Sequence, residues 1–90
     1  MKRSVRVFIE GAVQGIFFRQ FVKDAADRVG VNGFVRNLPD GRVECYFEGG
    51  ENEVIEIVKI CQVGPKHAQI RNIKVTEEKF QDLLGFKILH

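Results

Sequence analysis

Between residues 5 and 29 the apolar side chains change their spacing, and glycines mark the change. Val5, Val7 and Ile9 point one way while Arg6, Phe8 and Glu10 point the other, which predicts a half-buried strand over Ser4 to Glu10. From Phe17 or Phe18 the period lengthens. Phe18, Phe21, Val22, Ala25, Ala26 and Val29 then form one stripe, with Gln20, Lys23, Asp24, Asp27 and Arg28 outside it. Gly30 supplies the stop, being the residue that best tolerates a left-handed conformation. A strand and an amphipathic helix this close together commit the chain to a helix laid against a sheet.

The joint between them is Gly11-Ala12-Val13-Gln14-Gly15-Ile16-Phe17-Phe18-Arg19. Glycines at both ends of its first five residues let the backbone turn sharply and aim several N–H groups at one point. The helix that follows offers unpaired N–H groups and the positive end of its dipole. Arg19, on the first turn, adds a permanent charge and a planar fork of donors. Together these make a cup for an oxyanion. On spacing alone, an ordinary strand–loop–helix joint with a surface arginine fits as well, because short glycine motifs recur widely.

The rest of the chain continues in the same manner. Val31 to Asn37 and Arg42 to Glu48 read as the two strands of a hairpin around Leu38-Pro39-Asp40-Gly41, whose proline and glycine suit a type I turn. Val43, Cys45 and Phe47 share one face of the returning strand; Arg42, Glu44, Tyr46 and Glu48 share the other. Gly49-Gly50 closes the hairpin, and Asn52 to Cys61 forms a second helix with Val54, Ile57, Val58 and Cys61 as its stripe, widened by Ile55 and Ile60. Gly64-Pro65 breaks that helix. His67 to Thr76 is a strand whose parity slips between Ile70 and Ile73, as a bulge would allow, and Phe86 and Ile88 mark a short last strand. The order predicts an α+β, ferredoxin-like split βαβ sandwich, with two helices on one face of a mostly antiparallel sheet of four to five strands.

Ninety residues at 44% hydrophobic content fit one small domain spanning residues 1–90. No apolar run approaches the about 18 residues of a membrane span, and the start of the chain lacks the apolar segment of a signal peptide, so a cytoplasmic location is expected. Fourteen Lys and Arg against twelve Asp and Glu give a net charge of +2 with no block of like charge, too mild for duplex nucleic acid or a membrane as partner. Cys45 and Cys61 have neither redox nor zinc spacing. Each falls on the apolar side of its own element, and two reduced core thiols are expected. A disulfide between them is geometrically conceivable. The carboxylates are scattered without a ligand spacing, and no metal is expected.

A second cluster is Gly33-Phe34-Val35-Arg36-Asn37, followed by Gly41, Val43 and Gly49. In a split βαβ sheet the first and third strands are neighbours and the second pairs with the third. The end of the second strand, at Asn37, then lies near the glycine turn. Its amide would offer a donor and an acceptor to a water or substrate oxygen there. Asparagines are also common at strand ends for purely local reasons.

With both clusters in view, the sequence resembles the acylphosphatase family over essentially its whole length. Gly11 to Arg19 is similar to the family pattern Gly-x-Val-Gln-Gly-Val-x-Phe-Arg, with Ile16 for the usual valine, a change that should not alter the chemistry. Gly33 to Gly49 matches the family's Gly-aromatic-Val-basic-Asn-x-x-x-Gly-x-Val and its later glycine. The resemblance implies a small cytosolic hydrolase that cleaves acyl phosphates, mixed anhydrides of a carboxylic and phosphoric acid, to a carboxylate and inorganic phosphate. It implies that Arg19 binds the phosphate, that Asn37 positions the attacking water, and that the backbone N–H groups of Val13, Gln14, Gly15, Ile16, Phe17 and Phe18 form the phosphate cradle. No cofactor or metal, a small-molecule acyl phosphate substrate, phosphate as product, no nucleic-acid or membrane partner and a monomer complete the expectation.

Neither cluster contains His, Asp, Glu or Cys, so the substrate's own phosphate oxygen is the expected acceptor of the water's proton. Gln14 is read as shaping the loop, Phe18 and Phe21 as core, and Phe17, off the stripe, as flanking the pocket mouth. His67 and His90 read as a solvated strand start and a tail. Three rivals share the fold. An RNA-recognition domain would use Phe8 and Tyr46 on the open face, but Glu10, Glu44 and Glu48 share that face and would repel a phosphate backbone. A module like that heading a hydrogenase-maturation protein would handle carbamoyl phosphate. A silent relative would only bind phosphate, with the loop distorted at Ile16 or Phe17.

Overall fold

The computed structural model describes residues 1–90, apart from the side chain of Ile16. The elements are β1 (Lys2–Ala12), α1 (Ile16–Val29), β2 (Asn32–Asn37), β3 (Val43–Gly50), α2 (Glu51–Val63), β4 (Gln69–Glu77) and β5 (Phe86–Ile88). The strands form one sheet in the order β4-β1-β3-β2-β5. Only β2 and β5 run parallel; the other pairs are antiparallel. This is the ferredoxin-like α+β arrangement, with both helices on one face.

Element ends move for local reasons. β1 is longer than the Ser4–Glu10 alternation because both β3 and β4 hydrogen-bond along it. Gly49 and Gly50 do not end the hairpin; they continue β3 opposite Arg3 and Lys2, and α2 starts directly at Glu51. α1 begins at Ile16, ahead of the Phe17 or Phe18 expected. β4 starts at Gln69 and not at His67, since residues 65–68 close a turn in which the Ala68 N–H donates to the Pro65 carbonyl at 3.1 Å. The parity slip resolves as a bulge. Glu10 faces Asn72 while Gly11 faces Ile70, leaving Arg71 as the extra residue, within the interval expected.

The core lies between helices and sheet. Val5, Val7 and Ile9 of β1, Val35 of β2 and Val43, Cys45 and Phe47 of β3 meet Phe18, Val22, Ala25 and Ala26 of α1 and Val54, Ile57 and Cys61 of α2. Cys45 and Cys61 are free thiols buried in this layer, and burial together with the neighbouring Cys61 thiol pushes the Cys45 thiol well up. α1 ends at Gly30, in the left-handed region at φ 95°, where its N–H donates to the Ala26 carbonyl at 2.8 Å. Phe18 packs in the core, and half-buried Phe21 lies against it with ring centroids 6.1 Å apart. Ile60 joins the core edge, whereas Ile55 is 37% exposed.

The opposite face holds a feature that alternation did not reveal. β4 and β5 sit at opposite edges, four strand spacings or about 19 Å apart, and residues 78–85 must cross that width. They do so over the helix-free face, at the end of the sheet where β1 begins. Glu78 N–H donates to the Ser4 carbonyl at 3.1 Å, Tyr46 Oη donates to the Lys79 carbonyl at 2.9 Å, and Gly85 N–H donates to Asn32 Oδ1 at 3.2 Å. Tyr46 and Glu48, expected on an open face, are therefore buried, and Glu44 is buried between the guanidinium groups of Arg6 and Arg36. An RNA-binding face on Phe8 and Tyr46 is thereby removed, because Tyr46 has no exposed surface left for a base.

Glu48 anchors this crossing. Its carboxylate accepts hydrogen bonds from Tyr46 Oη at 2.7 Å, from Gln81 N–H at 2.7 Å and from Leu83 N–H. Burial pushes the Glu48 carboxyl up, but these donors and the Asp82 N–H outweigh it and hold its pKa below the ordinary value. A lowered carboxylate pKa adds stability that is complete above the unfolded value of about 4.3 and is lost as pH falls through the folded value. Glu48→Ala takes the acceptor from the Leu83 N–H and leaves the Tyr46 hydroxyl only the Lys79 carbonyl and the Gln81 N–H only the Tyr46 oxygen, and should cost about 2–4 kcal/mol in urea unfolding at neutral pH. It should also flatten the acid limb of the stability curve. An unchanged midpoint would show that the crossing segment holds without it.

Candidate active site

The site is built where β1 runs out. Gly11 lies so close to β4 that a Cβ there would sit 1.9 Å from the Gln69 carbonyl oxygen, so only glycine admits this strand approach. Four residues on, Gly15 at φ 107° caps the start of α1 with no side-chain acceptor. The N–H groups of Gly15 to Phe18 thus lack intrahelical partners, and the first turn carries no acidic residue. An open, uncapped helix start next to a glycine turn favours an anion.

The end of β2 reaches the same end of the sheet. Asn37 pairs with Val43, and Val43 pairs with Ile9, two residues before Gly11. Gly33 permits this close pairing, since a Cβ there would meet the Tyr46 carbonyl oxygen at 1.8 Å. The β2–β3 turn closes with Gly41 N–H donating to the Leu38 carbonyl at 3.1 Å, as the proline and glycine predict. Gln14 ties the glycine turn to this hairpin: its Nε2 donates to the Leu38 carbonyl at 2.9 Å and to the Arg42 carbonyl at 3.1 Å. Its side chain is engaged with the loop scaffold.

Arg19 projects from the first turn of α1 towards the end of the chain. Nη1 donates to the Leu89 carbonyl at 3.2 Å and lies 3.3 Å from His90 Nδ1. Leu89 is itself held by its N–H on the Val35 carbonyl at 2.9 Å. His90 is thus a neighbour of Arg19 and not a free tail, a contact between residues 71 positions apart that no local pattern announces. Arg19 Nε and Asn37 Oδ1 remain. They are buried polar side-chain atoms that find no hydrogen-bond partner, and among the described residues they alone do so.

Two grooves flank the turn. One, about 540 Å³, is lined by Glu10, Gly11, Asp40, Gly41, Arg42 and Arg71. The other, about 480 Å³, lies against Phe17 and residues 65–68. Phe17 is 88% exposed at its edge, and His67 sits in its wall and not on a strand. The backbone of Val13, Gln14, Gly15, Ile16, Phe17 and Phe18 forms the turn and helix start; the reading of Ile16 in place of valine concerns a side chain outside the described residues. Among the described residues, no group of three or more His, Cys, Asp or Glu converges.

Fold and site together define an α+β sandwich with a glycine turn and an uncapped helix start at the end of its first strand. Comparison with known proteins gives the family. The acylphosphatase family model matches residues 5–88. The acylphosphatase of Rubrobacter xylanophilus is 51% identical over 76 residues, covering 84% of this chain and 69% of that protein. That of Syntrophus aciditrophicus is 45% identical over 91 residues, covering 100% of this chain and 95% of its own. The crystal structure of acylphosphatase from Bacillus subtilis superposes with a TM-score of 0.93 at 35% identity, over the full length of both chains. The chain belongs to the acylphosphatase family.

Proposed function

We propose that this protein hydrolyses small-molecule acyl phosphates to a carboxylate and inorganic phosphate. The reading rests above all on the two unpartnered buried atoms, Arg19 Nε and Asn37 Oδ1, at one end of the sheet beside an open helix start. A bare donor on the first turn of α1 and a bare acceptor at the end of β2 suit a phosphoryl group and a water molecule held between them.

The N–H groups from Val13 to Phe18 and the Arg19 guanidinium hold the phosphoryl oxygens and offset their charge as it redistributes. Asn37 Oδ1 accepts a hydrogen bond from the attacking water and aims its lone pair at phosphorus. The water oxygen–phosphorus bond forms as the bond from phosphorus to the acyl oxygen breaks, and the carboxylate leaves with that electron pair. The water's proton passes to a phosphate oxygen of the substrate. A carboxylate is already a good leaving group, so positioning and electrostatic stabilisation carry the catalysis and neither a protein acid nor a cofactor or metal is invoked. Residues 1–90 act as one unit and as a monomer in the cytoplasm, with no nucleic-acid or membrane partner.

The test is benzoyl phosphate in heavy-oxygen water with a chelator present, and p-nitrophenyl phosphate as control. Rapid hydrolysis of benzoyl phosphate alone, with the heavy oxygen in phosphate and none in benzoate, is expected. Label in benzoate would mean attack at carbon and would overturn the mechanism; no hydrolysis by folded protein would overturn the function.

A further inference from the structure

An in-line displacement places the leaving group opposite the attacking water, and the sheet order makes that geometry readable. The glycine turn continues from β1. On one side, across β3, stands Asn37 at the end of β2. On the other side stands β4, whose first residue, Gln69, pairs with Ala12. The chain entering β4, residues 65–68, forms the far wall of the 480 Å³ groove, and Phe17 and Phe18 form its near wall.

Resting on the hydrolysis reading above, we infer that this groove receives the acyl group of the substrate, and that the preferred substrates carry an apolar, aromatic or branched acyl chain. Three observations carry the assignment. The groove lies on the β4 side of the turn, away from Asn37, where the leaving carboxylate must depart. It is continuous with the cradle, because Gln14, Phe17 and Phe18 belong to both. Ala12, Phe17, Phe18, Pro65 and Ala68 supply most of its surface beside Gln14, Lys66 and His67, whereas the other groove, which runs from the end of β1 and the β4 bulge to the turn that follows Asn37, is lined by Glu10, Asp40, Arg42 and Arg71. Phe17 gains nothing for the core at 88% exposure, and a phenylalanine left in solvent beside a polar cup is well placed to cover an apolar ligand group.

Two measurements test this. In Phe17→Ala, the ratio of kcat/KM for benzoyl phosphate to that for acetyl phosphate should fall about tenfold, a loss of the size that a missing apolar wall produces. An equal loss on both substrates would show that Phe17 acts through the cradle, and would overturn the assignment. Amide shifts by NMR locate the group without turnover, with phenacylphosphonate as a non-hydrolysable probe and inorganic phosphate as reference. Shifts at Lys66, His67 and Ala68 beyond those caused by phosphate are expected. Shifts at Gly41, Arg42 and Arg71, or at the cradle alone, would overturn it. In both cases a wild type that still hydrolyses acyl phosphates leaves the parent reading intact, whereas a wild type that hydrolyses neither substrate defeats the parent reading itself.

Discussion

Arg19→Lys should lose about two to three orders of magnitude in kcat/KM on benzoyl phosphate while melting close to wild type. The charge survives the substitution, so a site that needed only a positive potential would keep its activity. The geometry does not survive. Arg19 is held by Nη1 on the Leu89 carbonyl, beside His90, and this contact presents the buried Nε edge inwards as a fixed donor. A lysine ammonium is a single point on a flexible stem, cannot hold Leu89 and face the cup at once, and cannot offer parallel donors to a phosphate. Activity near that of wild type in the lysine variant would remove Arg19 from the mechanism.

The second large effect is expected at Asn37. Asn37→Ala removes the unpartnered Oδ1 and leaves the β2–β3 pairing with Val43 in place, because that pairing runs through the backbone. A misplaced nucleophile alone costs about a hundredfold, so kcat should fall by about that factor or more. The cradle and Arg19 are untouched, and phosphate should bind nearly as before.

The contrast between what the residues announce and what they conceal has physical causes. Val5, Val7 and Ile9, and the Phe18–Val29 stripe, are legible because each element buries one face and its period is local. Gly11, Gly33 and Gly41 are legible because close strand approach and the hairpin turn leave little else possible at those places. Tyr46 and Glu48 mislead for the same reason that alternation usually works: it reports which side a residue faces, not what later covers that side. Here residues 78–85 cover it, and they show no period of their own because they bond to Ser4, Tyr46, Glu48 and Asn32 one after another.

The site divides in the same way. Glycine spacing, the helix start and Arg19 sit within nine residues and can be read together. The link from Gln14 to the Leu38 and Arg42 carbonyls, and the contact of Arg19 with Leu89 and His90, join segments far apart in the chain. Only the assembled sheet brings them into contact. The 480 Å³ groove is of the same kind, since Phe17 and Pro65 meet only once β4 has paired with β1.

The division of labour between Arg19 and Asn37 is tested most directly by measuring kcat and the inhibition constant for inorganic phosphate together in Asn37→Ala. A fall in kcat of about a hundredfold with phosphate inhibition nearly unchanged is the predicted result, because the amide aims the water and the cradle holds the anion. A parallel loss of both would make Asn37 a phosphate ligand and contradict the account of how water is delivered.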